Sequence, residues 1–337
     1  MLPPTRSIEL VERTCGPVHA EQFRIRESAP RPLAPGSALL ENVYLLIEQD
    51  VVRLLTRGWQ LHMPMPGGAA IGRVIASRTP ALPVGTLVRH VTGWTTHTLV
   101  WAGQPGLRVV EAAAGLPVTV HLSALGAAGA TAWRGVRDIL RLRPGEVLYV
   151  ACGTSVTGSL VGQFARLRGA GRVLAGVRGE EAARVATQVY GFDETYDILE
   201  SAALGRLAGP SAGRVDAAWV DLDDAHVAVV ANSLHRHGGR IAHTTQRVRP
   251  AGAAMGPGPV TRETAVGGAR VVVHTYFSEN HGSPRRAMEA QVLRYLATGR
   301  IIVNETIVDG LDHVVGAFLG TLRGELTGAV IARLADG

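Results

Sequence analysis

The stretch that most limits what this chain can fold into runs from Val147 to Val177. A continuous apolar run, Val147 to Ala151, is followed by CGTSVTGSLVGQFARLRGAG and then by a second apolar run, RVLAGV. A short unbroken apolar run is the mark of a strand buried on both faces. The glycines allow a tight turn, and the segment behind them has apolar residues at helical spacing. Strand, glycine-bearing turn, helix and strand make a βαβ unit, which requires a parallel sheet.

The alternation continues on both sides. Thr131 to Leu142 reads as an amphipathic helix ahead of the turn Arg143-Pro144-Gly145-Glu146. Downstream, Arg184 to Tyr190 reads as helix, Asp216 to Val220 as strand, His226 to His237 as helix and Gly239 to His243 as strand. Such a sequence of elements predicts an α/β fold with a doubly wound parallel sheet. The β-rich run Ala269 to Phe277 is expected to be the edge strand of that sheet. A free edge needs covering, and pairing of two edges in a homodimer would supply it. Ser283 to Thr298 reads as a helix.

The texture is different before residue 120 and after residue 300. Short β-branched runs such as Asn42 to Ile47, Gly72 to Ala76 and Thr86 to Val91 stand between Pro and Gly, and the tail, Ile301 to Asp336, returns to short strands with a helix at Leu311 to Leu322. The expected division is 1–122, 123–290 and 291–337, with the third segment returning to the lobe of the first.

Composition removes several classes of function. The 34 basic side chains are all Arg, so lysine Schiff bases and a phosphate-loop lysine are excluded by inventory. The formal charge of +6 is spread along the chain and aromatics are 5%, which argues against a nucleic-acid surface. Cys15 and Cys152 form no CxxC, and no HExxH occurs, so no metal site is expected. The first residues carry charges where a signal peptide needs an apolar run, and no stretch is apolar enough to span a membrane, so a cytoplasmic protein is expected.

The chain resembles the zinc-independent alkenal and prostaglandin reductases, or leukotriene B4 dehydrogenases, of the medium-chain dehydrogenase/reductase superfamily. The resemblance rests on NVYL at Asn42 to Leu45, GWTTH at Gly93 to His97, GAAGATAW at Gly126 to Trp133, RPGEVLYV at Arg143 to Val150, YGFDETY at Tyr190 to Tyr196, GGRIA at Gly238 to Ala242 and LRGELTGAVI at Leu322 to Ile331. It implies a GroES-like β-rich lobe built from both chain ends, a Rossmann lobe between them, and a substrate cleft. Family members reduce a C=C bond conjugated to a carbonyl with NADPH.

Against the family pattern, several positions change. The turn AAAGxVG becomes CGTSVTG, with Gly153 and Gly158 present and Ser155 in place of the glycine nearest the phosphates. The NADPH-preferring lysine and tyrosine align with Ala183 and Ile198, while Arg178 and Arg184 are alternative partners for a 2′-phosphate. Asp221, Asp223 and Asp224 bring carboxylates beside a polyanion site. His243-Thr244-Thr245-Gln246-Arg247 replaces a small-residue segment, and Pro250, Leu326 and Ala329 replace the family's tyrosine, asparagine and lysine.

Two readings follow. In the first, the redox equipment is lost, no cofactor is favoured, and the enzyme is a cyclase or isomerase that cyclises or rearranges a large, apolar, polyketide-like small molecule by acid/base positioning. Its candidate catalytic residues are His243, Tyr276, Glu279, His281 and Glu48, with Asp50, His97 and Gln246 as further polar groups. In the second, the chain is an NADPH-dependent enone reductase that binds cofactor through Gly153, Ser155, Gly158, Arg178 and Arg184. A satisfied core histidine is at least an equal reading of His243, and a solvated loop is the preferred reading of the 276–281 cluster.

Overall fold

The structure is a computed structural model that describes residues 2–13, 16–29, 32–52, 55, 59–91, 93–111, 113, 115–199, 205, 207, 215–221, 224–234, 237–243, 260–266, 269–275 and 285–335; at 50, 224, 237–238, 260–266 and 269–275 only the backbone is described. The chain forms two compact units, Met1–Leu122 with Glu305–Gly337, and Ser123–Asn304.

The second unit holds a seven-stranded sheet, in spatial order Glu194–Asp197, Arg172–Val177, Val147–Val150, Ala217–Val220, His237–His243, Ala269–Thr275 and Val260–Val266. The first six strands are parallel, and Val260–Val266 runs antiparallel to Ala269–Thr275. Chain order reverses at Val147–Val150, where successive crossovers go first to one side and then to the other. In doubly wound folds such a reversal is where a crevice opens at the carboxyl ends of the strands. The central strands read VLYV, RVLAGV and AAWV because both faces are covered, and Tyr149, Leu174, Ala218 and Ile241 are fully buried in one core with Tyr196 and Val220.

Two expectations are corrected here. The strand at 269–275 is interior, hydrogen-bonded to His237–His243 on one side and to Val260–Val266 on the other, so the edge is Val260–Val266. The reason is a hairpin: Val266 pairs with Ala269, and the sequence between them is Gly267-Gly268, a two-residue signal for a hairpin turn. The helix expected over Thr131 to Leu142 is α-helical only over Ala127–Arg134 and continues as a wider π-turn over Gly135–Ile139, where Leu140 N donates to Gly135 O. Arg137 lies 4.5 Å above the Trp133 ring across that junction.

The first unit is a mixed sheet, Glu305–Asp309, Ala329–Arg333, Ser37–Leu46, Ala70–Ser77, Leu87–His90 and Arg108–Val109, with His97–Trp101 paired to Ser37–Leu46. The tail strand Ala329–Arg333 completes it, antiparallel to Ser37–Leu46. Helix Val314–Arg323 packs its Val314, Ala317 and Phe318 into the same core as Ile8, Leu45 and Trp94. Phe318 meets Trp94 edge-on with ring centroids 5.3 Å apart. No helix among the described residues is long and apolar enough to cross a membrane.

Candidate functional site

The carboxyl ends of the parallel strands gather the candidate polar groups of the second unit. After Val147–Val150 the chain turns through Cys152, whose φ of +56° is left-handed for a non-glycine residue. This turn is tied down on both sides. Ala151 N donates to Trp219 O at 2.8 Å and Gly153 N to Gly176 O at 2.9 Å, while Ser155 N closes back on Cys152 O at 2.9 Å.

Two glycines let the turn and the following helix, Val156–Leu167, sit this close. A Cβ at Gly158 would lie 2.2 Å from Cys152 O, and one at Gly153 would lie 2.6 Å from the Ala175 Cβ. Ser155 is the N-cap: its Oγ accepts from Gly158 N at 3.0 Å. Residues 153 to 158 thus read Gly-x-Ser-x-x-Gly, a dinucleotide fingerprint with serine in the middle place. The serine folds back onto its own helix, so it does not fill the turn. The N–H groups of Val156 and Thr157, at the positive end of the helix, have no intrahelical acceptor.

The neighbouring strand ends supply polar groups. Arg178 follows strand Arg172–Val177, is exposed, and among the described residues forms no ion pair. Arg184 differs: its Nε donates to Glu181 at 2.8 Å in an exposed pair one turn apart on helix Gly179–Gln188, and it also contacts Gln188. The structure therefore separates two arginines that sequence reasoning treated alike. Asp221 follows strand Ala217–Val220, and His243 is the last residue of strand His237–His243, level with Val220 and Thr275 in register and 1% exposed.

Beneath the turn, Tyr149 stacks on His226 with its OH 3.2 Å from His226 Nε2. Burial pushes the phenol pKa up, and the charges of Cys152, Asp221 and Tyr196 add to the shift, so the hydroxyl stays protonated at physiological pH. Sequence reading missed this pair, because a tyrosine inside VLYV scores only as a strand residue.

Of the remaining predicted residues, Tyr276, Glu279 and His281 lie outside the described residues, as do Gln246, Pro250 and Asp223. Glu48 is in the first unit, half-buried, with its carboxylate against Gly68: a Cβ there would lie 2.6 Å from Glu48 Oε2. His97 opens strand His97–Trp101 and bonds Thr96 Oγ1 at 3.0 Å. Its pKa is lowered by burial, against an opposing pull from Glu41.

In the first unit His90 is strongly perturbed. It is fully buried, and its Nε2 lies 2.8 Å from Asn42 Oδ1. Asn42 Nδ2 donates to Thr95 O and Thr98 Oγ1, so its oxygen is left to accept and His90 Nε2 carries the proton. Burial, aided by the Arg89 charge, lowers the imidazole pKa to about 3. Among the described residues no three metal-binding side chains converge.

Comparison with known proteins bears on the choice between the two readings. Residues 6–108 match the N-terminal domain of oxidoreductase. Prostaglandin reductase 1 of Bos taurus is 27% identical, covering 92% of this chain and 93% of the relative. The NADPH-dependent curcumin reductase of Escherichia coli (strain K12) is 25% identical over 97% and 96%. CurA from Vibrio vulnificus, solved in complex with NADPH, superposes with a TM-score of 0.81 at 24% identity over 98% of this chain and 100% of that one. These likenesses overturn the expectation that no cofactor is favoured, and the cyclase reading loses its premise. A physical reason is visible at Ser155, whose side chain caps its own helix and so leaves the turn between Gly153 and Gly158 unfilled.

Proposed function

Since the chain is a medium-chain dehydrogenase/reductase by fold, with relatives among the prostaglandin and curcumin reductases, we propose that it is an NADPH-dependent reductase of a C=C bond conjugated to a carbonyl in an apolar small molecule. The observation that carries the reading is Arg178. It stands at the end of the second strand of the βαβ unit, where a fold that selects NADH holds a carboxylate for the ribose hydroxyl. A guanidinium there pairs with a 2′-phosphate in bidentate fashion.

The residues fit the cofactor. Val156 and Thr157 N–H and the positive helix end hold the pyrophosphate, Gly153 and Gly158 keep the turn clear, and Arg178 takes the 2′-phosphate. Bound NADPH supplies a hydride for the β-carbon of the substrate. The α-carbon must gain a proton, and we assign its delivery to His243, buried at the end of the fifth parallel strand. An imidazole is suited to this step because its ring nitrogens can both accept and donate a proton.

The test is a titration with NADPH and NADH followed by nicotinamide fluorescence and thermal shift. Tight NADPH binding is expected, weakened about tenfold by Arg178→Ala and unchanged by Arg184→Ala, whose guanidinium is already paired with Glu181. NADPH-dependent loss of an enone chromophore should follow. Failure of the wild-type protein to bind NADPH at millimolar concentration would overturn the reading.

A further inference from the structure

We propose that Ser155 is a cofactor-positioning residue whose hydroxyl proton is donated to the pyrophosphate. The inference rests on reading this turn as the NADPH site. In a dinucleotide fingerprint the middle residue is glycine because a side chain there stands between the backbone and the phosphates. Ser155 escapes that conflict by its conformation. With φ of −68° and ψ of 161° it caps the helix, and its Oγ lies over the helix end, 3.0 Å from Gly158 N.

Accepting that N–H uses one lone pair and leaves the O–H proton free to rotate. Among the described residues nothing accepts it. The hydroxyl therefore adds a third donor beside the N–H groups of Val156 and Thr157, on the helix end that favours an anion. The bond from Gly158 N polarises the Ser155 O–H, which makes it a better donor to a charged oxygen than an isolated hydroxyl. A serine in the place of the glycine is on this view a substitution of one phosphate contact for another.

The experiment compares Ser155→Gly, Ser155→Ala and Ser155→Thr with the wild type, measuring dissociation constants for NADPH by nicotinamide fluorescence and for 2′-AMP by competition. Glycine is tolerated as an N-cap with little loss of stability, so this variant removes the donor without unfolding the helix end. The expected result is a roughly tenfold loss of NADPH affinity in the Gly and Ala variants, the value of one charge-assisted bond. Threonine, which keeps the hydroxyl, should bind within a few-fold of wild type. Affinity for 2′-AMP, which has no pyrophosphate, should not move in any of them. Equal or tighter NADPH binding by Ser155→Gly would overturn the inference and mark the serine as an obstruction. Parallel losses for NADPH and 2′-AMP would overturn it too, because they would report a distorted turn. Absence of NADPH binding by the wild type would instead remove the proposed function beneath it.

Discussion

Acidification should expose the buried imidazole of His90. The group titrates near 6.5 in an unfolded chain and at about 3 in the folded one, where it is fully buried against Asn42. Below pH 6.5 the unfolded state takes up a proton that the native state refuses, so stability falls as the pH falls, down to about 3, and is untouched above 6.5. At about 1.36 kcal/mol per pH unit, the two units between pH 6.5 and pH 4.5 remove about 2.7 kcal/mol, a large part of the stability of an ordinary domain. The perturbation is His90→Gln, which keeps an N–H for Asn42 Oδ1 and does not titrate. The assay is reversible urea unfolding of both proteins at pH 7 and pH 4.5, comparing the change in stability with pH. The variant starts less stable, but its acid loss should be smaller than that of the wild type by roughly 2–3 kcal/mol. Parallel pH curves for the two proteins would refute the reasoning.

Two further outcomes follow from the same geometry. Gly158→Ala forces a methyl to within 2.2 Å of Cys152 O, so the melting temperature should drop by an amount matching about 1–3 kcal/mol and NADPH affinity should fall with it; an unchanged melting curve would show that the helix can move away from the strand. His243→Asn should lower kcat for enone reduction about a hundredfold while the NADPH dissociation constant stays within a few-fold, and an unaltered kcat would remove the residue from proton delivery.

The scaffold was legible in the sequence where period and punctuation coincide. Val147 to Ala151, Gly153, Gly158 and RVLAGV specify a βαβ unit almost without reference to the rest of the chain. The interior place of Ala269–Thr275 is also legible, in the hairpin signal Gly267-Gly268, which outweighs β-richness near the end of a lobe. Side-chain direction was not legible. Ser155 counts as lost space in a string of letters, and only its rotamer turns it into a cap. Asn42, which His90 bonds, is 48 residues away, and no local pattern announces such a bond. The cofactor is not legible for the same reason: a string of substituted side chains says nothing of a turn held by backbone hydrogen bonds to Trp219 and Gly176.

The tail strand Ala329–Arg333, hydrogen-bonded to Ser37–Leu46, imposes an order on biosynthesis. A ribosome releases the first-unit strands long before the strand that completes their sheet, and the entire Ser123–Asn304 unit is translated in between. The middle of the protein can therefore finish folding while the beginning still waits, with the Tyr44–Leu46 end of that strand unpaired beside the stretch already held by His97–Trp101 and open to the wrong neighbour.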